Sequence, residues 1–137
     1  MLSTIYKHKN IGILILRLFI GVSFMFHGFP KLFSGVDKWE KLGSTMSHLG
    51  IDFLPIMWGF MGSASEFIGG FLFALGLFFK PASLFLAITM FVAFWYHFSS
   101  GDGFSGFNHA LELFAVFAGF FFIGPGTFSL DQKFRGR

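Results

Sequence analysis

Residues 54–79, LPIMWGFMGSASEFIGGFLFALGLFF, decide the fold, because this long apolar run carries a single ionisable side chain, Glu66, near its middle. A run of this length can cross the hydrocarbon core of a bilayer as one helix. A carboxylate inside such a span is costly unless it is paired or hydrated. Three further residues share the face of Glu66 at helical steps of three or four: Gly62, Gly69 and Phe73. Since small residues let membrane helices approach closely, we expect Glu66 to point into a packed bundle and away from lipid.

The composition is that of a membrane protein along the whole chain. The 137 residues are 54% hydrophobic and 22% aromatic, and only 12% are charged. Because one span needs about 20 apolar residues, the length allows four spans with short connections, and we expect a single membrane domain over residues 1–137. The chain has no Cys, which excludes a disulfide framework, a thiolate metal site and an iron–sulfur cluster within it. The basic residues form no stripe, so no nucleic-acid partner is expected.

The order of the apolar segments predicts an all-α polytopic membrane protein, an antiparallel bundle of four transmembrane helices. The predicted spans are residues 11–29, 54–79, 82–98 and 108–123. Between the first two, residues 36–49 predict a short amphipathic helix that lies in the membrane interface with Trp39 as its anchor. Pro30 marks the predicted end of the first helix. We interpret that helix as a retained span and not a signal peptide, because Arg17 interrupts the apolar run.

The distribution of Lys and Arg predicts the orientation. The N-terminus, the link at Lys80 and the C-terminal tail (residues 124–137) hold six basic residues, whereas the opposite side holds three, Lys31, Lys38 and Lys41. Because cytoplasmic loops carry the excess of Lys and Arg, both termini are expected in the cytoplasm.

A layer of ionisable side chains is the predicted functional site. With a rise of about 1.5 Å per residue, one such side chain from each helix comes to a similar depth in the outer half of the membrane. The four candidate catalytic residues are Glu66, Glu112, His97 and His27. Carboxylates and imidazoles at one depth can share protons. The layer therefore predicts a site that binds a polar head group or exchanges protons.

Neighbouring side chains complete the predicted site. We expect Arg17 and Lys31 as charge partners, with Arg17 reaching one of the two glutamates. Asn108 and His109 are expected to line the outer mouth. Two simpler interpretations stay open. An Arg17–Glu66 pair can serve only to fix the helix register, and His109 at a helix end can be only interfacial.

Short motifs extend from Gly12 to Asp131. In order, they are Arg17, Phe26-His27-Gly28 with Lys31, Glu66-Phe67-Ile68-Gly69-Gly70, Leu75-Gly76-Leu77, His97, Glu112, and Gly124-Pro125-Gly126-Thr127-Phe128-Ser129-Leu130-Asp131. Together they resemble the DoxX family of small bacterial membrane proteins. The resemblance implies a four-helix protein of the bacterial cytoplasmic (inner) membrane. It also implies a role beside redox enzymes, since relatives include a subunit of thiosulfate:quinone oxidoreductase and members linked to thiol and oxidative-stress systems.

Three functions are compatible with these features. The first is a quinone-linked accessory subunit of an oxidoreductase, in which the polar layer binds the quinone head group and a redox partner protein supplies electrons. The second is a non-enzymatic scaffold or assembly factor for a partner oxidoreductase. The third is a haem or metal site with His27 and His97 as ligands, although no close-spaced ligand motif is present. The expected partners are the lipid bilayer and a redox protein, with a homo-oligomer as a further alternative.

Overall fold

The computed structural model describes residues 8–135, and these form helices and connecting loops. The helices are α1 (Lys9–Leu32), α2 (Val36–Gly43), α3 (Pro55–Leu75), α4 (Phe79–Ser99), α5 (Phe104–Ile123) and α6 (Leu130–Arg135), and a 3-10 helix, Ser44–Leu49, follows α2. Four of them, α1, α3, α4 and α5, are long and apolar enough to cross a membrane. The predicted all-α bundle of four transmembrane helices is therefore confirmed. Two of the basic residues that predict the orientation, Lys7 and Arg137, lie outside the described residues.

Small residues bring α1 and α3 into backbone contact. A side chain added at Gly21 would come within 2.6 Å of the carbonyl oxygen of Gly70, and one at Gly28 within 2.5 Å of the backbone nitrogen of Phe67. Only glycine permits this approach. One face of α1 is buried, from Arg17 through Gly21 and Phe24 to Gly28. The spacing of these residues, at steps of three and four, predicts one helix face from the sequence.

Aromatic rings fill the core near the end of the bundle where α3 connects to α4. Phe73 of α3 is stacked on Phe79 of α4 with ring centroids 4.8 Å apart. It also meets Phe117 and Phe120 of α5 edge to face, at 5.2 and 5.3 Å. Phe24 of α1 reaches the same cluster through Phe117. Edge-to-face contacts are favourable geometries for aromatic rings, so these rings join the four spans.

The first helix continues past its predicted end. Pro30 lies within the last turn of α1, which runs to Leu32. The indole N–H of Trp39 lies 3.2 Å from the carbonyl oxygen of Lys31 and 3.1 Å from that of Leu32. It donates to carbonyl groups that a helix end leaves without partners. The side chain expected as a membrane anchor therefore also caps α1.

The connection between α3 and α4 comes earlier than predicted. α3 ends at Leu75 because Gly76 adopts a left-handed conformation with a φ of 68°. α4 begins at Phe79, so that Pro81 lies in its first turn, where a proline is tolerated. Likewise, α5 begins at Phe104, four residues before the predicted 108.

The predicted helix over residues 36–49 is divided, since α2 ends at Gly43 and the 3-10 helix follows. α2 lies directly against the first half of α3. A side chain at Gly43 would overlap the carbonyl oxygen of Pro55, and one at Gly59 would overlap the carbonyl oxygen of Trp39. Both glycines are buried. Backbone contact thus fixes α2 as a wall beside α3.

The C-terminal residues pack against the bundle. The carboxylate of Asp131 accepts hydrogen bonds from the backbone N–H groups of Phe78 and Phe79, at 2.9 and 2.8 Å. The first N–H groups of a helix have no partner within it, so Asp131 caps α4. It also holds Phe78, whose φ of 45° is unusual for a residue with a side chain.

Candidate functional site

The centre of the candidate site is an ion pair between α1 and α3. The Nζ atom of Lys31, in the last turn of α1, lies 3.1 Å from each carboxylate oxygen of Glu66. Glu66 is only 5% exposed, in the middle of α3. A side chain at Gly28 would come within 2.9 Å of the Cβ atom of Glu66. The close approach of the two helices at this glycine therefore brings Lys31 within reach of the carboxylate.

The ion pair borders a cavity of about 480 Å³ that lies between α3, α4, α2 and the 3-10 helix. This volume suits a small organic ligand. The hydroxyl groups of Ser63 and Thr89 donate to carbonyl oxygens one turn earlier, each at 2.8 Å, and their oxygen lone pairs stay free to accept from a ligand. Apolar side chains such as Trp58 and Val92 form much of the remaining wall. The polar lining side chains are Lys31, Thr45, Ser63, Ser65, Glu66, Thr89, Tyr96 and His97.

Three hydrogen bonds lie at the end of α4, where the partly exposed His97 marks the mouth of the cavity. The Nδ1 atom of His97 lies 2.7 Å from a carboxylate oxygen of Asp102, in the loop before α5. The Nδ1 atom of His48 lies 2.7 Å from the hydroxyl oxygen of Ser99. The indole of Trp95 also donates to the carbonyl oxygen of His48, at 2.8 Å. The 3-10 helix is thereby attached to α4, and its residues Thr45 and Met46 line the cavity.

Arg17 is not the charge partner of a glutamate, and that prediction is wrong. Its side chain is 2% exposed, and the guanidinium donates only to backbone carbonyl groups. The acceptors are the carbonyl oxygens of Phe73 (3.3 Å), Ala74 (2.9 Å), Pro125 (2.9 Å) and Phe128 (2.7 Å). The long side chain with its planar guanidinium reaches carbonyl groups at the end of α3 and in the turn that follows α5. Lys31 alone pairs with Glu66 among the described residues.

Glu112 does not face the bundle, contrary to the sequence prediction. It is exposed on α5, and the buried residues of this helix are Ala110, Phe117 and Phe120. At 100° per residue, Glu112 lies on the side opposite to Ala110 and Phe117. The rise along a helix gives the depth of a residue but not its rotation about the helix axis. The predicted layer of four ionisable groups is therefore reduced to Glu66 and His97 in one cavity, joined by Lys31.

Three other predicted site residues lie outside the cavity. His27 is exposed on the flank of α1, with its ring 5.9 Å from that of Phe24. His109 is exposed on the first half of α5, and Asn108 is partly exposed. None of the three lines the cavity around Glu66, so the mouth expected at Asn108 and His109 is formed instead by residues near His97.

The cavity suits a polar organic group better than a metal ion. Residues 8–135 contain no group of three or more His, Cys, Asp or Glu side chains placed to hold a metal. The two histidines considered as haem ligands are separated, since only His97 lines the cavity. The carboxylate of Glu66, the ammonium group of Lys31 and the imidazole of His97, together with hydroxyl groups, can form hydrogen bonds with a polar organic group.

Several residues that line the cavity were not predicted from the sequence. Ser63 lies three residues before Glu66, and its place on the same helix face was a usable signal. Thr89 and Tyr96 carry no such signal, because their place in the cavity depends on how α4 packs against α3.

Comparison with known proteins identifies a family for this chain. The model of the DoxX family matches residues 12–99, a range that contains Lys31, Glu66 and His97. No curated protein and no solved structure matches the chain. Since the matched range covers more than half of the sequence, the chain belongs to the DoxX family.

Proposed function

We propose that the protein binds the head group of a quinone in the cavity beside Lys31 and Glu66. The observation that carries the proposal is a buried carboxylate, Glu66, paired with the partly exposed Lys31 at the wall of a largely apolar cavity in a membrane bundle. A quinone presents two carbonyl oxygens that accept hydrogen bonds, and its reduced form presents two hydroxyl groups that donate them. The ammonium group of Lys31 donates and the carboxylate of Glu66 accepts, so the pair can interact with both forms.

Proton exchange is the proposed role of the pair. Reduction of a quinone to a quinol takes up two electrons and two protons, and oxidation releases them. Glu66 and Lys31 would exchange protons with the bound head group, with His97 at the mouth as the link to water. These side chains carry protons but no electrons. The electrons therefore come from a redox partner protein, to which this chain is an accessory subunit.

The proposed location is the bacterial cytoplasmic (inner) membrane, with both termini in the cytoplasm. It rests on the excess of Lys and Arg at the end of the bundle that holds Lys80 and the C-terminal residues. In this orientation the end of α1 that carries Lys31 points outward, and the cavity lies toward the outer half of the bilayer.

Quinone titration of the purified protein in lipid nanodiscs tests the proposal. Trp58 lines the cavity, so a bound quinone should quench tryptophan fluorescence. Glu66→Gln and Lys31→Met should each weaken binding at least about tenfold, because each removes about 1.4 kcal/mol or more of interaction. Glu112→Gln is the matched control, since it neutralises a membrane carboxylate outside the cavity, and it should bind as the wild type does. Equal affinity in all variants, or no binding to the wild type, would refute the proposal.

A scaffold function is the second candidate, and the outward face of α5 favours it. Glu112 and Ala115 are exposed there, and nothing lies within 4 Å of a side chain added at Gly119. A carboxylate that faces lipid is costly, so a partner helix that covers it gains both a polar contact and close packing.

A photo-crosslinking residue at Ala115 tests this second function, with the same residue at the exposed Ile15 of α1 as control. A product with one defined partner at Ala115 alone supports the scaffold. A product of twice the chain mass would instead indicate a homo-oligomer, and equal labelling at both positions would argue against either.

A further inference from the structure

We propose that the ligand is an amphiphile with one long hydrocarbon chain, and that this chain lies in a groove between α3 and α4. The inference rests on the proposed function and adds the class of the ligand and the position of its tail. The groove has a volume of about 370 Å³ on the surface between the two helices. Its lining residues include Ala64, Ile68, Gly69, Leu72, Pro81 and Phe85.

The groove continues the cavity. Met61, Ser65 and Phe85 line both. Met61 and Phe85 are 43% and 49% exposed, so the cavity opens sideways, between the spans, where they meet. A head group that reaches Glu66 from the bilayer through this opening leaves its chain in the groove.

The dimensions and chemistry of the groove fit a hydrocarbon chain. Between Met61 and Leu72 it follows α3 for about 16 Å. An extended chain advances roughly 1.2 Å per bond, so about 13 bonds, or about three isoprenoid units, fit along it. Ser65 is the only polar side chain among its lining residues. A peptide backbone in the groove would lack hydrogen-bond partners, which leaves a hydrocarbon chain as the occupant.

A small residue keeps the groove open and provides the test. Ala64 is partly exposed and lines only the groove, so a larger side chain at this position blocks the tail without entering the cavity. Ala64→Phe should weaken binding of a quinone with three isoprenoid units at least fivefold. The head group alone, with no isoprenoid unit, should bind within twofold of the wild type. The matched control is Val22→Phe, at an exposed position of α1 that lines neither the groove nor the cavity, and it should change neither affinity.

A second measurement does not depend on the folding of a variant. A quinone with a photoreactive diazirine at the end of three isoprenoid units should label residues 68–82 of the wild type. Labelling of α1 or α5, or equal labelling of all four spans as expected for bulk lipid, would overturn the inference.

The two proposals fail in different ways. If the head group binds and depends on Glu66, but Ala64→Phe has no effect and labelling falls elsewhere, only the tail groove is wrong. If no Glu66-dependent binding occurs with either quinone, both proposals are wrong.

Discussion

Removal of Arg17 should destabilise the bundle, and the loss of unfolding free energy should not depend on whether residue 66 is charged. In Arg17→Met the thioether side chain replaces the aliphatic part of the arginine, and four backbone carbonyl groups lose a donor. The carbonyl group of Phe73 keeps the backbone N–H of Gly76 as a second donor, at 3.2 Å. In Glu66→Gln the amide keeps the shape of the carboxylate and removes its charge. Lys31→Met removes the ammonium group that faces Glu66. These three variants, with the double variants Arg17→Met/Glu66→Gln and Lys31→Met/Glu66→Gln, form two double-mutant cycles.

The structure gives the expected magnitudes. Hydrogen bonds from a charged donor contribute about 1.5–3 kcal/mol each, and a buried acceptor left free costs about 1–3 kcal/mol. Two of the four acceptors, on Pro125 and Phe128, are only partly buried and can regain other partners. We therefore expect Arg17→Met to lose roughly 3–5 kcal/mol of unfolding free energy.

The coupling energies differ because the distances differ. Of the four acceptors of Arg17, the one on Phe73 lies nearest to Glu66 in the sequence. It is seven residues beyond Glu66, or about 10 Å along α3. At that separation the effects of Arg17→Met and Glu66→Gln should add within about 0.5 kcal/mol. Lys31 and Glu66 are in direct contact, so their coupling should lie in the range of about 0.5–3 kcal/mol.

Unfolding by SDS titration in mixed micelles measures each free energy. Arg17→Lys serves as the control for charge, because it keeps the positive charge without the planar fork and should lose part of the stability. A coupling between Arg17 and Glu66 as large as that between Lys31 and Glu66 would refute the assignment of partners.

Three further predictions follow from the packing and the topology. Gly59→Ala should lower the thermal midpoint because its methyl group would overlap the backbone of α2, whereas Gly62→Ala, with nothing within 4 Å, should not; equal midpoints in the same detergent would contradict the close contact. Asp131→Ala should cost about 1–2 kcal/mol in SDS titration, since two N–H groups of α4 lose their acceptor, and an unchanged curve would mean that water replaces the carboxylate. In the Cys-free chain, an impermeant maleimide added to intact cells should label Ser47→Cys but not Thr127→Cys, and the reverse pattern would invert the proposed orientation.

The sequence predicted the faces of α1 and α3 because glycines at helical spacing are informative where most residues are large. Gly21 and Gly28 share one face of the first span, and in the structure this face meets α3. The same reasoning failed on α5, where Glu112 and Gly119 also share a face. Lipid and a Phe-rich core are equally apolar, so the pattern cannot tell which side of such a helix packs inward.

For a different reason, the sequence alone could not predict the partners of the charged residues. Arg17 binds carbonyl groups, which every residue carries, so no residue type marks them. Lys31 and Glu66 were both identified, yet their pairing depends on how closely Gly28 lets the helices approach. The closing motif, from Gly124 to Asp131, was recognised as a signature, but its contacts with Arg17 and α4 appear only in the fold.

The contacts of Arg17 have a consequence for the synthesis of the protein. Two of its acceptors, on Pro125 and Phe128, lie 108 and 111 residues later in the chain. Because the chain is made from its N-terminus, α1 reaches the membrane with an arginine whose binding partners do not yet exist. The charge is costly in lipid until they arrive. Arg17 can therefore complete its hydrogen bonds only when translation is almost finished, and a chain truncated before Pro125 should keep only the two bonds to α3.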